Sequence, residues 1–319
     1  MGAGAGHRGR RGASAEPDAT GGLPPVGKYQ LLAAMLARAA RRSLIVTHEL
    51  VVDLDEIAMP PARRGFWRFA FRRYGRLARV NIACSRANRE LLVGRYGFPA
   101  ASTPLIYNGV DLRRFAPLPG AERDAARQAI AATVAGDPWP ADALLVCTVA
   151  RLSVQKGLFD LLAAAAEVAP RCPRARFAIV GDGELRPQLE ERIAALRLSS
   201  FVRLAGALPQ SEVAKWLGAA DLFVLPSHYE GLPLSLVEAM GAGCAVVATV
   251  VGGVRDVIDD DRVGRVVPPK SPAALATAIA DLLADPETRQ RMGAAARQRV
   301  RSGFDAETCY SRTVETYGT

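Results

Sequence analysis

The 319-residue sequence is long enough for two domains with sizeable cores, since half of its residues are hydrophobic, and it contains no run of 18 apolar residues that would span a membrane. Its formal net charge of +9 is concentrated near one end, because the first 100 residues hold 17 of the 41 basic residues and only 7 of the 32 acidic ones. The five cysteines are scattered and show no C-x-x-C spacing, which argues against a disulfide framework or a zinc site and favours a reducing compartment.

The first part of the chain is predicted to be irregular. Residues 1–27 are rich in Gly, Ala and Arg, lack the apolar segment of a signal peptide, and are predicted to form a disordered tail. Residues 28–112 are predicted to form an N-terminal α/β region, with helices near 28–42, 62–78 and 86–95 and strands near 43–48, 80–85 and 104–108. Residues 113–142, with their prolines, are predicted to be a linker and lead-in.

From residue 143 to residue 319 the pattern becomes regular. Strands are predicted near 143–150, 176–181, 201–206, 222–226, 245–250 and 264–269, with helices near 158–169, 185–197, 211–220, 233–241, 253–258, 272–284 and 286–302. Continuous apolar strands that alternate with helices predict a parallel sheet covered on both faces. Ligands of such sheets bind outside the carboxyl ends of the strands, so the loops there are the candidate site.

The first two of these loops carry cations and glycines. RLSVQKG presents Arg151 and Lys156 just before a helix, a combination that suits phosphate oxygens. GDGE follows the next strand, and Gly181 and Gly183 in it would let the backbone approach a ligand closely. A tight turn without a ligand is the alternative for the two glycines, and plain surface charge is the alternative for the two cations.

The loop SHYEGLP holds the first of two glutamates that are eight positions apart, Glu230 and Glu238. Pro233 suits a first helical turn, so the amides of Gly231 and Leu232 are predicted to point toward an anion. A carboxylate can accept two hydrogen bonds from a vicinal diol. We therefore expect a sugar, a diphosphate and a ribose to bind in a row here, unless Glu238 is only a solvated helix residue.

Taken together, RLSVQKG, VGDGE, LPSHYEGLPLSLVEAMGAGCAVVAT, GGVRDVI and IYNGVD resemble the retaining glycosyltransferases of family 4 (glycosyl transferases group 1). The resemblance covers roughly residues 43–319 and implies an α/β protein of the GT-B fold, with two Rossmann-like parallel-sheet domains. The family's N-terminal domain usually begins with a strand and a glycine-rich loop. About half of that domain has no counterpart here, so the resemblance implies that residues 28–112 form a partial N-terminal domain on the acceptor side.

The resemblance also implies roles. Glu230 would contact the transferred sugar, Glu238 the ribose hydroxyls, and Arg151 and Lys156 the diphosphate, without a metal ion or other cofactor. Transfer would retain the anomeric configuration. His48, at the end of SLIVTH, matches a histidine that points into the cleft in several family members; a satisfied interior histidine is the alternative.

Three activities remain open at this point. The first is transfer of a hexose from a nucleotide sugar to a glycan or lipid-linked acceptor. The second is a non-catalytic or partner-dependent donor-binding fragment, in which a separate polypeptide supplies the absent half of the N-terminal domain. The third is nucleotide-sugar epimerisation. A nicotinamide-binding fold is disfavoured because no G-x-G-x-x-G lies between a first strand and its helix.

The basic end of the chain contains PARRGFWRFAFRRYGRLARV, residues 61–80, with seven arginines among five aromatic residues. A basic amphipathic helix of this kind is typical of membrane-surface binders, with Arg64, Arg68, Arg72 and Trp67 as the candidate contacts. An ordinary helix with its aromatic residues packed on a sheet is the alternative. No nucleic-acid recognition motif accompanies the arginines, so nucleic acid is not expected as a partner. The expected location is the cytoplasm, peripheral to the membrane if the helix binds lipid.

Overall fold

The computed structural model describes residues 43–55, 59–133, 139–140 and 142–318. The tail predicted over residues 1–27 and the helix predicted over residues 28–42 lie outside the described residues.

A small N-terminal lobe, defined here as residues 43–108, precedes the larger sheet. Its elements are β1 (Ile45–His48), α1 (Pro61–Gly75), β2 (Val80–Ala83) and α2 (Arg86–Glu90), followed by a π-helical segment (Leu91–Arg95) and a 3₁₀ turn (Ala100–Ser102). The two strands are parallel, with Ile45 opposite Val80.

The third strand predicted for this lobe, over residues 104–108, is wrong. Leu105 makes only an isolated bridge to Ala83. Pro104 has no N–H with which to extend the ladder. The chain then turns away, and Tyr107 packs its ring against Phe304 with ring centroids 4.8 Å apart.

The C-terminal lobe, defined as residues 142–305, contains one six-stranded parallel sheet in the order β5-β4-β3-β6-β7-β8. Its strands are β3 (Leu144–Val149), β4 (Ala175–Val180), β5 (Val202–Gly206), β6 (Leu222–Leu225), β7 (Ala245–Thr249) and β8 (Arg265–Val267). Consecutive residues of β3 belong to two separate apolar clusters, Val146 to one and Cys147 to the other. The sheet is therefore buried on both faces, as the sequence predicts.

Helices cover both faces of this sheet. They are α3 (Gly120–Thr133), α4 (Leu158–Arg171), α5 (Arg186–Ala195), α6 (Gln210–Ala219), α7 (Leu234–Gly241), α8 (Val254–Val257), α9 (Pro272–Ala284), α10 (Pro286–Gly303) and α11 (Ala306–Gly318).

Helix α3 lies in the segment predicted as a linker and lead-in. Its Arg123 and Arg127 reach Asp221 at 2.9 and 2.8 Å, and Asp221 also accepts a hydrogen bond from the Leu145 N–H. These contacts attach α3 to the beginning of the large sheet. The resulting α/β fold is the one that the sequence predicts.

Candidate functional site

The loops after β3 and β6 touch backbone to backbone at the carboxyl edge of the sheet. Gly157 has a φ of +61°, and a Cβ built on it would lie 2.0 Å from the Pro226 carbonyl oxygen. Only glycine fits both the left-handed conformation and this distance. The contact sets Lys156 and Glu230 side by side.

Lys156 and Glu230 form an ion pair with Nζ and Oε1 2.7 Å apart, and their side chains are only 19% and 8% exposed. The hydroxyl of the fully buried Ser227 donates to the same Oε1 at 2.6 Å. Glu230 is therefore held in one orientation by two donors. Its Oε2 makes no hydrogen bond to a described residue and is available to a ligand. Sequence reasoning missed Ser227, although it lies in the same motif.

The side chain of Arg151 is more exposed than that of Lys156, the other predicted diphosphate contact. The Arg151 side chain is 74% exposed and reaches Glu184 at 3.3 Å. The two glycines predicted to bind a donor have a structural reason to be glycine: added Cβ atoms would lie 1.9 Å from the Ala150 oxygen at Gly181 and 2.5 Å from the Leu152 oxygen at Gly183. The close approach that they permit is between neighbouring loops. Contact with a ligand stays a prediction.

The loop before α7 only partly matches its prediction. Pro233 is the residue directly before the helix. The N–H of Gly231 makes no hydrogen bond within the described part of the chain, and Leu232 is buried. That the amides of Gly231 and Leu232 point toward an anion stays a prediction.

Glu238 lies inside α7 and is half-buried. Burial raises the pKa of its carboxyl to about 7, an effect that the nearby Arg114 opposes. Arg114 in turn bonds the side chain of Gln210 at the beginning of α6. Glu238 is therefore poised to change charge near neutral pH. A carboxylate at this position would gain from hydrogen-bond donors such as hydroxyls.

His48 is placed in the core of the N-terminal lobe. It is 8% exposed, its Nε2 lies 3.2 Å from the Asn81 oxygen, and its ring makes edge contacts with Phe71, Tyr74 and Phe98. Burial lowers the pKa of the imidazole, and the hydrogen bond to Asn81 opposes that shift. This environment matches the interior alternative, and a role of His48 in positioning a sugar stays a prediction.

The two lobes meet at the same loops. A Cβ on Gly231 would lie 1.6 Å from the Glu49 carbonyl oxygen, so the N-terminal lobe rests directly on the Gly231 backbone. The buried Asp256 accepts a hydrogen bond from the Arg86 N–H at 2.6 Å, at the beginning of α2. Sequence reasoning missed these contacts, because neither a carbonyl oxygen nor a helix-capping carboxylate 170 residues away has a sequence pattern.

The candidate membrane contacts on α1 differ from their prediction. Arg68 pairs with Asp55 at 2.6 Å, Arg64 lies 3.5 Å from the same carboxylate, and Trp67 is half-buried. Arg72 is exposed, beside Gly97. Phe71 and Tyr74 of the same helix are buried, which matches the alternative of aromatic residues packed in the interior. The exposed aromatic residues are Phe66 and Phe69, at 60% and 70%.

None of the helices in the described ranges is both long and apolar enough to cross a membrane. Within the same ranges, no group of three or more His, Cys, Asp or Glu side chains has a metal-binding arrangement.

Comparison with known families gives two matches. The family described as "Glycosyl transferases group 1" matches residues 134–299, and "Glycosyltransferase Family 4" matches residues 26–114. Together these ranges include the whole N-terminal lobe and all but the last six residues of the C-terminal lobe.

Curated relatives point the same way. The chain is 33% identical to a D-inositol 3-phosphate glycosyltransferase of Kineococcus radiotolerans, over 74% of this chain and 56% of that protein. It is 32% identical to a glycogen synthase of Mycobacterium tuberculosis, over 74% of this chain and 53% of that protein. The chain thus spans about half the length of these relatives.

Solved structures share the fold. An Anabaena protein, HepE, in complex with UDP superposes with a TM-score of 0.78 at 24% identity, covering 91% of this chain and 76% of that one. The sucrose-phosphate synthase of Thermosynechococcus elongatus gives 0.76 at 26% identity, covering 90% and 71%.

Proposed function

We propose a function from one premise: this chain belongs to the glycosyl transferases of group 1, family 4, and has their GT-B fold. It transfers a hexose from a nucleoside-diphosphate sugar to a glycan or lipid-linked acceptor, with retention of configuration. The observation that carries the proposal is the Lys156–Glu230 pair at the carboxyl edge of the large sheet, with one glutamate oxygen left for a ligand.

The diphosphate of the donor binds beside Arg151 and Lys156. Negative charge grows on the diphosphate as the glycosidic bond breaks, and fixed cations stabilise that charge in the transition state. Lys156 is already oriented by Glu230, so little reorganisation is needed when the donor arrives. We propose that these two side chains supply the charge that a metal ion supplies in other transferases, and that no cofactor is required.

The two glutamates hold the two sugars of the donor. Glu230 offers Oε2 to a hydroxyl of the transferred sugar, and Glu238 accepts from the ribose hydroxyls. Glu230 is committed to Lys156 and Ser227 through Oε1, which suits a binding residue better than a nucleophile. Retention then follows from attack on the same face as the leaving diphosphate, whose oxygen takes the acceptor proton.

The first experiment is calorimetric titration of the purified chain with UDP, GDP and ADP. Solved HepE complexes contain UDP and UDP-glucose, which favours UDP as the first choice. Glu238→Ala should weaken the nucleotide that binds, whereas Glu212→Ala, on the outer surface of α6, should leave it unchanged. Failure of all three nucleotides to bind would remove the proposal.

A donor-binding fragment is the second candidate, and it is favoured by the position of Lys156 and Glu230, which both lie in the C-terminal lobe. In that case a partner polypeptide supplies acceptor contacts. Incubation with the donor that binds, with and without oligosaccharide or lipid-linked acceptors, separates the candidates. A transferred sugar supports the transferase, nucleotide binding without turnover supports the fragment, and an epimerised sugar without acceptor supports the epimerase.

We further propose that the exposed face of α1 contacts an anionic membrane. Phe66 and Phe69 are exposed there together with Arg63, Arg72 and Arg73. Anionic lipid contributes about 1 kcal/mol for each nearby basic residue. Replacing these three arginines with glutamine should weaken sedimentation with phosphatidylglycerol vesicles by at least ~10-fold. A control that removes equal charge from α10 and α11, at Arg291, Arg301 and Arg312, should not; equal losses would refute a specific face.

A further inference from the structure

A cavity of about 450 Å³ lies between the two lobes, on the side of Glu230 that faces β7 and β8. Its walls come from residues 50–53, 87–88 and 91 of the N-terminal lobe and from residues 228–230, 250–252 and 269–270 of the C-terminal lobe. Of the donor contacts proposed above, Glu230 is the one in its wall. The cavity is therefore next to the point at which the transferred sugar would lie.

The acidic groups in this wall already have cationic partners. Asp53 pairs with Arg95 at 3.0 Å, and Glu230 pairs with Lys156 at 2.7 Å. His228, the imidazole in the wall, bonds Asp160 at 2.8 Å. None of these groups leaves an uncompensated negative charge in the cavity.

Lys270 differs from them. It lines the cavity, is exposed, and makes no ion pair or hydrogen bond with a described residue. Its φ is +56°, in the left-handed region that side chains other than Asn, Asp and Gly rarely adopt. The Tyr229 hydroxyl, also in the wall, likewise has no hydrogen-bond partner within the described part of the chain. The cavity thus presents one uncompensated positive charge and one unused donor.

We propose that this cavity is the acceptor subsite and that it takes an acceptor with an anionic group, a phosphate or a carboxylate, which Lys270 binds. That the bound molecule is an acceptor rests on the proposed transferase function, whereas the preference for an anion rests on the charges in the cavity wall. An ammonium group without a protein partner gains a charge-assisted hydrogen bond from such a ligand and loses little solvation, because it is already exposed.

The test measures binding of matched probes to the full chain saturated with UDP, so that the diphosphate cannot be confused with the probe. Glycerol 3-phosphate is compared with glycerol, and glucuronate with glucose, by calorimetry or ligand-observed NMR. Lys270→Asn removes the charge but keeps a residue that tolerates the left-handed conformation. Lys270→Arg keeps the charge, and Lys215→Asn, on the outer face of α6, is the matched control.

We expect at least one anionic probe to bind ~10-fold or more tightly than its neutral partner, an advantage that Lys270→Asn abolishes and Lys270→Arg retains. Higher ionic strength should shrink the advantage. A preference for glycerol 3-phosphate identifies a phosphate, and one for glucuronate a carboxylate. The idea is overturned if neither anion is preferred, or if the preference survives in Lys270→Asn.

This outcome is separable from the proposed function. If the chain fails to bind UDP but shows a Lys270-dependent preference for an anion without it, the transferase proposal fails and the anion site stands. If UDP binds and neither anionic probe is preferred, the transferase proposal stands and the anion site fails.

Discussion

In the C-terminal lobe, six parallel strands are buried on both faces between helices, whereas the N-terminal lobe is built on two strands and a cluster of aromatic rings. The large lobe positions Lys156 and Glu230 through its own sheet and loops. The small lobe contributes a carbonyl oxygen at Glu49 and a helix N-terminus at Arg86, both placed against the large lobe. The difference teaches that the proposed donor site is formed by one lobe, while the other lobe covers it.

The contact between Gly231 and Glu49 gives the largest expected effect. Gly231→Ala would force the lobes apart, since its Cβ would lie 1.6 Å from a backbone oxygen that has no freedom to move alone. We expect a loss of about 3 kcal/mol in the free energy of unfolding, measured by urea denaturation. Gly65→Ala is the control, because nothing lies within 4 Å of its added Cβ. An equal response of the two variants would show that the lobes are not in contact.

The ion pair between Lys156 and Glu230, inside the C-terminal lobe, gives the next largest expected effect. Lys156→Met leaves the nearly buried Glu230 carboxylate without its cation, and we expect a loss of about 2 to 3 kcal/mol of stability together with loss of nucleotide binding. Lys215→Met breaks an exposed pair with Glu212 and should cost less than about 0.5 kcal/mol. Thermal unfolding and calorimetry on both variants would check this. Undiminished nucleotide binding in Lys156→Met would contradict the proposed site.

The hydrogen bond that the Arg86 N–H donates to Asp256, which we call the tether, is expected to contribute less to stability. Asp256→Ala leaves the Arg86 N–H without its acceptor at the beginning of α2, at a cost of about 1 to 2 kcal/mol in urea denaturation. Asp261→Ala, in the turn after α8 and exposed, should be nearly neutral. If both variants behave like the unaltered protein, the tether does not stabilise the junction of the lobes.

Glu238 gives the smallest effect and one with a defined pH dependence. Burial raises its pKa from 4.5 to about 7, so the folded chain keeps a proton that the unfolded chain has released, and stability falls as the pH rises through this range. Glu238→Gln should therefore be more stable than the unaltered protein at about pH 8, on the order of 1 kcal/mol because Glu238 retains some access to water, with no difference at about pH 4.5.

The affinity for UDP should change with pH in the direction opposite to the stability. Ribose hydroxyls favour the ionised carboxylate, so UDP affinity should rise as the pH increases through about 7. The terminal phosphate of UDP also ionises near this range. Glu238→Gln corrects for it, since only the phosphate contribution remains in that variant. Identical pH profiles for the two proteins would exclude Glu238 from the ribose site.

The sequence predicts the large lobe well and the small lobe poorly, for a physical reason. Strands buried on both faces, such as β3, are continuous apolar runs that are visible in the sequence. The strand predicted near Leu105 fails because pairing there depends on where the chain must go next, which is set by the contact of Tyr107 with Phe304. His48 is similar, since only the tertiary structure shows that aromatic rings surround it.

Within the candidate site, the sequence predicts residues whose chemistry is in their side chains, such as Lys156 and Glu230. The contacts that hold them were not found, because they are made by backbone atoms: the Pro226 oxygen against Gly157 and the Glu49 oxygen against Gly231. A glycine in a sequence can indicate a close backbone approach, but it does not identify the atoms that make the approach. Ser227 could have been found, since its hydroxyl lies three residues before Glu230 in the same motif.

Some positions in the loops around Glu230 tolerate only glycine, whereas others can carry different side chains. This division matters for directed evolution. Gly252 and Gly253 sit against the carbonyl oxygens of Glu230 and Gly231, at 1.8 and 2.6 Å from an added Cβ, so randomising them would yield mostly misfolded clones. Residues 229, 250 and 270, which carry side chains, also line the cavity. A small library that varies residues 229 and 250 freely and limits residue 270 to Lys, Arg, Asn and Gly would search the proposed acceptor choice at little cost in folded protein.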